Sequence, residues 1–405
     1  MYILFLALSG WIVFQLTLPF FTVLASRIAG RERLKTITPT PPPRDYACII
    51  TAYKNAAITL PLIQSLLQQR SGTFHVYVVA DECPPGFDPQ TDDGRVSVFQ
   101  PPAPLRLKLA SIRYATERFV RPHNYVLIFD SDNLAHPDFL SELDRYAAAG
   151  YRVIQGRRTA KNTNNHIAAA DSLGEIYKNY TERYATWLLG SSAVISGSAM
   201  ATHIDLYLAH LNSPEVQNGW SKGRRALAAE DKILQSFLLK KGETIAFAKN
   251  AVCYDEKVQT GAAVETQRSR WLYAYFQNLP NTLQILVTGL LHANWNQFFF
   301  GLATSLLPMF IQVALAFVLF LIGLLVAPAV SLMIAVAGWV FVFTVFWTLY
   351  LSGESAVARQ AMTAVPGFIW RQARALLKMS NPNKNFVPTQ HTEAVQVDDV
   401  MKQDK

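Results

Sequence analysis

The stretch YVLIFDSD, Tyr125–Asp132, runs through five apolar residues and stops on two aspartates one residue apart. A short apolar run bounded by polar residues is the pattern of a strand buried on both faces. Two similar runs precede it. YACIITAY (46–53) ends on Tyr53, and FHVYVVAD (74–81) ends on Asp81. Amphipathic segments lie between and after them: ITLPLIQSLLQQ (58–69), PLRLKLASIRYATERFV (104–120) and PDFLSELDRYAAAG (137–150). Such alternation predicts an α/β fold with a mostly parallel sheet covered on both faces. Ligands of these sheets bind at the carboxyl ends of the strands. Asp81, Asp130 and Asp132 are thereby predicted to rim one crevice.

An Asp-x-Asp triplet is common by chance and also ends strands in ordinary turns. At the end of a buried strand, however, two neighbouring carboxylates suit a hard divalent cation such as Mg²⁺, which takes its other ligands from water and phosphates. The rival phosphate site, a Gly-x-x-x-x-Gly-Lys loop, does not occur. Further on, AAEDKILQSFLLKKG (228–242) reads as a helix led by Glu230 and Asp231, which also suits the dipole of a first turn. AFAKNAVCYDEK (246–257) reads as a strand running into a loop, and QTGAAVETQRSRW (259–271) as a helix approaching a membrane.

The membrane reading comes from charge. The chain of 405 residues is 51% hydrophobic and 16% charged, against about 25% charged for soluble proteins. No Asp, Glu, Lys or Arg occurs from Trp271 to Gly353, nor before Arg27. A membrane helix needs roughly 20 apolar residues, and both regions supply them. The first, residues 1–26, lacks a basic n-region and is too long for a signal peptide, so it reads as an anchor. Residues 302–326 and 331–351 read as two spans around the turn APA (327–329), and NTLQILVTGLLHANW (281–295) as an interfacial helix. Arg27, Arg31, Arg33 and Lys35 follow the first span; Arg359, Arg371, Arg374, Lys378 and Lys384 follow the last. Basic flanks stay in the cytoplasm, so the 27–300 segment and the tail are predicted to be cytosolic. The domain limits expected are an anchor at 1–26, a basic, proline-rich linker at 27–44, and a catalytic domain at 45–260. Interfacial helices follow at 261–300, spans at 301–352 and a basic tail at 353–405.

The net charge of +8 fits an anionic leaflet. No basic stripe interleaved with aromatics points to nucleic acid. Cys48, Cys83 and Cys253 are odd in number and lack zinc spacing, as in a reduced cytosolic domain. The histidines show no ligand spacing, and His203 and His210 read as surface residues, although one histidine could complete a metal shell.

In order, Asp81, Lys108, DSD, ED and QRSRW (267–271) resemble the D, D-x-D, E-D and Q-x-x-R-W series of membrane-bound glycosyltransferase family 2. That group includes cellulose, hyaluronan and poly-N-acetylglucosamine synthases. The likeness covers roughly residues 45–390 and includes SGSAM (196–200), similar to the family's acceptor segment, and WRQARALLK (370–378). TAYKNA departs from the usual first-strand pattern, with Lys54 and Asn55 where Asn and Glu are usual, and ADEC departs from Asp-Asp-Gly.

The resemblance implies a glycosyltransferase-A, Rossmann-like nucleotide-sugar domain inserted between transmembrane helices. It also implies inverting transfer from a nucleotide sugar, usually a UDP-sugar. It assigns Thr51, Tyr53, Asp81, Lys108 and Asp130 to the donor, and Asp130 and Asp132 to a Mg²⁺ or Mn²⁺. Asp231 becomes the general base, Arg270 the partner of the diphosphate, and Trp271 with Gln267 the floor of the acceptor site. Arg268 fits an interface anchor better. The expected acceptor is a growing glycan, with a homo-oligomer or secretion partner to export it. Alternatives are single-sugar transfer to a lipid, as in the similar ceramide glucosyltransferases, and a non-catalytic scaffold. The membrane expected is a cell or inner membrane.

Overall fold

A computed structural model describes residues 1–34, 44–163, 165–221, 229–354, 357, 360, 361, 363–378 and 395–403. The proline-rich stretch 38–43, Lys35, Arg359 and Lys384 lie outside the described residues. The chain divides into two compact units, each discontinuous in sequence. The sheet unit comprises Arg33–Asn162, Ser192–Lys257 and Pro388–Lys405; the helical unit comprises Met1–Glu32, Thr163–Ser191 and Val258–Val387.

The sheet unit is built on eight strands. They are β1 (Asp45–Tyr53), β2 (Thr73–Asp81), β3 (Val96–Phe99), β4 (Tyr125–Asp130), β5 (Leu134–Ala135), β6 (Val153–Ala160), β7 (Met200–His203) and β8 (Ile245–Asp255). Their order is β3-β2-β1-β4-β7-β6-β8-β5. The half from β3 to β4 is parallel, as the apolar runs predict. The other half is mixed, because β7 pairs antiparallel with both β4 and β6, and β5 antiparallel with β8. A parallel neighbour needs a crossover packed on its own sheet. Most of the segment between β6 and β7, Thr163–Ser191, instead belongs to the helical unit, and β7 pairs with β6 in the opposite sense.

Helix Phe139–Ala148 buries Phe139, Leu140, Leu143, Tyr146 and Ala147, one stripe of a 3.6-residue period, and Phe139 meets Phe129 of β4 at 5.6 Å between ring centres. The last described helix, Val397–Gln403, sets Val397 and Val400 against Leu134, Val252 and Tyr254. The sequence offers no signal for this return of the tail.

Buried histidines couple the sheet unit to pH, His75 and His210 most strongly. His75 lies at the amino end of β2, its Nε2 2.8 Å from Ser97 Oγ; burial, with Arg121 second, pushes its pKa down to about 4. His210 is fully buried beside Tyr207 and Phe237, not at the surface as its sequence suggests. Phe237 comes from the helix Glu230–Lys240, a neighbour that His210's own helix cannot announce. Burial takes its pKa down to about 4. An unfolded imidazole titrates near 6.5, so the unfolded chain binds more protons between that value and 4. Stability is therefore full above about pH 6.5 and falls as pH drops towards 4. The sheet unit is expected to melt at least about 5 °C lower at pH 5 than at pH 7.5 by differential scanning calorimetry. His210→Phe should flatten that slope, and an unchanged slope would contradict the assignment.

The helical unit contains three helices long and apolar enough to cross a membrane: Tyr2–Ala29, Met309–Val326 and Pro328–Ser352. Phe5, Ile12 and Leu16 of the first pack with Ala316 and Leu319 of the second and Ile334, Ala337 and Phe341 of the third. The second span begins later than predicted. LAT (302–304) closes the helix Trp295–Thr304, and a break follows before Pro308 at the cap of the next helix. Gln15 accepts the Leu307 N–H at 3.0 Å and Gln312 donates to the Leu307 carbonyl at 2.6 Å, so the broken backbone keeps its partners in an apolar setting. Residues 281–291, read as a separate interfacial helix, are the end of one 31-residue helix, Gly261–Leu291, that continues through Pro280.

The segment 163–191 also joins this unit. Its helix His166–Lys178 passes into a π-helical turn, Asn179–Tyr184, where Arg183 bonds Glu175 and Asn179 at 2.7 Å each. Such turns are rare and occur mostly as single-turn bulges within α-helices.

Candidate active site

Strand register brings the predicted donor residues side by side. Tyr53 is paired in the ladder with Asp81, and Thr51 with Asp130, at the carboxyl edge of three adjacent parallel strands. Past that edge the backbone is strained. Lys54 (φ 64°) and Glu82 (φ 52°) follow β1 and β2, and Arg106 (φ 53°) precedes the helix Lys108–Thr116; all three are left-handed without being glycine. Such residues persist only where neighbours over-determine them, and they cluster at functional sites.

The neighbours here are explicit. Asp81 is buried; its two oxygens accept the N–H groups of Leu105 at 2.8 Å and Arg106 at 2.6 Å. Arg106 forks onto Glu82 at 2.9 and 2.6 Å. That pairing, with a second hydrogen bond from Tyr53, holds the Glu82 carboxyl down to about 2. Asp81 thus shapes the loop that delivers Lys108. Glu82 and Arg106 are participants that sequence reading missed, because ADEC departs from the family pattern and Arg106 lies in no motif.

Lys108 is the hub. Its ammonium donates to Asp130 and, at 2.8 Å, to the Gly197 carbonyl, and lies 3.8 Å from Glu230. Burial opposes the charge, but Asp130, Glu230 and Asp231 outweigh it and hold the lysine above its ordinary pKa. Glu230 shows the reverse balance. Burial, only partly offset by Lys108 and reinforced by Asp231, pushes it up to about 7. Asp231 accepts the N–H of Lys232 at 2.9 Å and keeps a quarter of its side chain exposed. It lies over Gly197, whose φ of +83° only glycine adopts readily; a Cβ there would stand 3.7 Å from that of Asp231. DSD, SGSAM, ED and Lys108 therefore meet within the sheet unit.

Asp132, two residues beyond Asp130, is buried. Its Oδ2 accepts the Glu256 N–H at 3.1 Å, and its carbonyl accepts from Lys161 Nζ at 3.1 Å. Lys161 and Glu256 form a buried ion pair at 3.2 Å. Beside them Arg158 and Lys257 both bind Asp255, while Asn162 and Lys257 exchange two hydrogen bonds at 2.7 and 3.0 Å. The sequence marked YDEK only as a loop, since its partners lie at the end of β6.

Gln267, Arg270 and Trp271 lie on the helix Gly261–Leu291 of the other unit. Arg270 is partly buried and Trp271 exposed; among the described residues Gln267 Oε1 has no hydrogen-bond partner. Arg268, read above as an interface anchor, has protein partners. It pairs with buried Asp171, and its guanidinium lies 4.2 Å from the Trp271 ring centre and 5.5 Å from that of Phe368. The pairing crosses from helix His166–Lys178, a contact with no local sequence signature.

A Rossmann-like half-sheet with acidic strand ends and a mixed second half is a glycosyltransferase-A architecture, here accompanied by three helices long and apolar enough to cross a membrane. A family model described as "Glycosyltransferase like family 2" matches residues 42–274. The chain belongs to this family and is a glycosyltransferase. Among solved structures it is similar to the mannosyltransferase PcManGT from Pyrobaculum calidifontis, in complex with GDP-Man and Mn²⁺. Identity is 12%, coverage 91% of this chain and 99% of that one, and the TM-score 0.54. It is also similar to TarS from S. aureus, at 13% identity over 60% of this chain and 40% of that one, with a TM-score of 0.35. No curated protein matches the chain.

Proposed function

We propose that this glycosyltransferase works at a membrane, moving a sugar from a nucleotide sugar to a growing surface glycan with inversion at the anomeric carbon. The observation that supports this best is the Lys108 hub, which draws the ends of β4, the SGSAM loop and the ED helix to one point. Inversion by single displacement needs one base and no covalent nucleophile. Asp231, partly exposed beside Gly197, is the group assigned to take the acceptor's proton. Lys108 holds one oxygen of Asp130 and keeps positive charge beside the carboxylates. Arg270, the arginine of the Q-x-x-R-W pattern, is the guanidinium assigned to the diphosphate, a task suited to its planar fork. Trp271 with Gln267 would carry the acceptor, the indole offering a flat apolar face.

The residues also fit a divalent cation. Asp130 and Asp132 supply hard carboxylate oxygens, and among the described residues no group of three or more His, Cys, Asp or Glu could hold a metal alone. Such a donor set suits Mg²⁺ or Mn²⁺ completed by water and the donor's phosphates. When bound, the ion would neutralise the leaving diphosphate as a Lewis acid. The relative above, crystallised with GDP-Man and Mn²⁺, supports that choice. The basic flanks of the spans support a cytosolic site.

A second reading, single-sugar transfer to a lipid, is favoured by the modest number of spanning helices, three among the described residues. One experiment separates the two. Purified full-length protein receives radiolabelled UDP- and GDP-sugars with Mn²⁺, and product size is measured. Long chains are expected; single-sugar lipids would select the second reading, and no transfer or hydrolysis from any donor would overturn both.

A further inference from the structure

We propose that the buried Lys161–Glu256 pair is a positioning device that sets Asp132 for its cation. The inference rests on the reading of Asp132 as a metal ligand. Three residues close a ring: Lys161 Nζ to the Asp132 carbonyl at 3.1 Å, Lys161 Nζ to Glu256 Oε2 at 3.2 Å, and Glu256 N–H to Asp132 Oδ2 at 3.1 Å. Asp132 is thus gripped at its main chain and at its carboxylate by two residues that bond each other. Both ion-pair side chains are at most 5% exposed, so neither reaches solvent or donor directly.

Stability alone does not account for the pair. A buried ion pair roughly breaks even with apolar residues of the same volume, because desolvating two charges cancels most of their attraction. What this pair adds is direction. Lys161 has an ammonium proton left for the Asp132 carbonyl, and the backbone that carries Glu256 turns its N–H onto the Asp132 carboxylate. The strand ends bearing the two residues are fixed independently. The Lys161 N–H donates to the Asp255 carbonyl at 2.9 Å, and Asn162 and Lys257 clasp one residue further on. Arg158 bonds Asp255 and, at 2.7 Å, the Ser196 carbonyl, so the same lacing reaches the SGSAM loop. Asp130, by contrast, is oriented by Lys108. The two aspartates of DSD therefore have separate braces.

The test measures Mn²⁺ affinity in the presence of UDP, from the Mn²⁺ paramagnetic resonance signal, together with melting temperature, on full-length protein in detergent. Lys161→Met/Glu256→Met removes both charges at once. It is expected to melt near wild type yet bind Mn²⁺ roughly 10- to 100-fold more weakly, the usual cost of losing groups that orient metal ligands from behind. Glu256→Gln keeps an oxygen for Lys161 and the same N–H for Asp132, so it should stay close to wild-type affinity. Should the double variant melt far below wild type, Lys161→Arg decides. It keeps the charge but displaces the donors from Asp132, and must show the weakening. Wild-type Mn²⁺ affinity in the deciding variant overturns the brace. Asp132→Asn separates this failure from failure of the premise. If it too binds Mn²⁺ like wild type, Asp132 is not the ligand; if it alone loses Mn²⁺, only the brace is wrong.

Discussion

Asp231→Asn is expected to lower kcat for sugar transfer by a factor of about 10²–10⁴, the span attributed to a positioned general base. Nucleotide affinity should stay nearly intact. The substitution preserves shape and the hydrogen bond from the Lys232 N–H, and removes only the capacity to take a proton. It also removes one of the three carboxylates that stabilise the Lys108 ammonium, leaving Asp130 and Glu230 to do so. Losing the Asp231 charge lets the Glu230 carboxyl fall back from about 7, but burial still holds it up, so in acid it stays protonated and is a poor substitute base. Turnover by Asp231→Asn should therefore be lowest in acid and recover only slightly as pH rises. Transfer rates across pH 5.5–8.5, with nucleotide binding followed by calorimetry, check both parts. Turnover within tenfold of wild type at pH 7 would remove Asp231 from its role.

The second large effect contrasts the two arginines of QRSRW. Arg268→Ala strands the buried Asp171 carboxylate, and breaking a buried pair in this way costs about 3–5 kcal/mol. Loss of the stacking on Trp271 and Phe368 adds to that. Against a typical total of roughly 5–15 kcal/mol, the helical unit should melt well below wild type. Arg268→Met combined with Asp171→Leu should recover most of the loss, since no charge is then left unpaired. Arg270→Ala is expected to act on the chemistry: transfer falls roughly 10²–10³-fold, as when one donor to a developing anion is removed. Equal melting temperatures for Arg268→Ala and wild type would sink the structural assignment. Transfer by Arg270→Ala within tenfold of wild type would sink the chemical one.

Much of this architecture is legible in one dimension, for identifiable reasons. Apolar runs such as YVLIFD can only be satisfied as buried strands, and their polar ends mark the rim of the parallel half-sheet. Charge-free segments of membrane length declare themselves by composition, although the break at Ser305–Pro308 and the unbroken helix through Pro280 do not. Periodicity could not say that β7 would reverse direction, because strand sense depends on where the connecting segment packs rather than on the strand's own residues.

The candidate site divides along the same line. Carboxylate positions, the ED pair and QRSRW are local patterns, and each could be read where it stands. Partnerships are not local. That Asp81 spends its oxygens on the loop before Lys108, that Arg268 belongs to Asp171, that His210 is buried, and that Lys161 and Glu256 enclose Asp132 all join segments far apart in the chain. The sequence by itself determined the family, glycosyltransferase family 2, since membership is carried by the residue pattern along the chain. Only the tertiary structure decided which charges lie side by side and which are committed to buried partners, because the energy of a charge is set by burial and by neighbours that folding alone brings together.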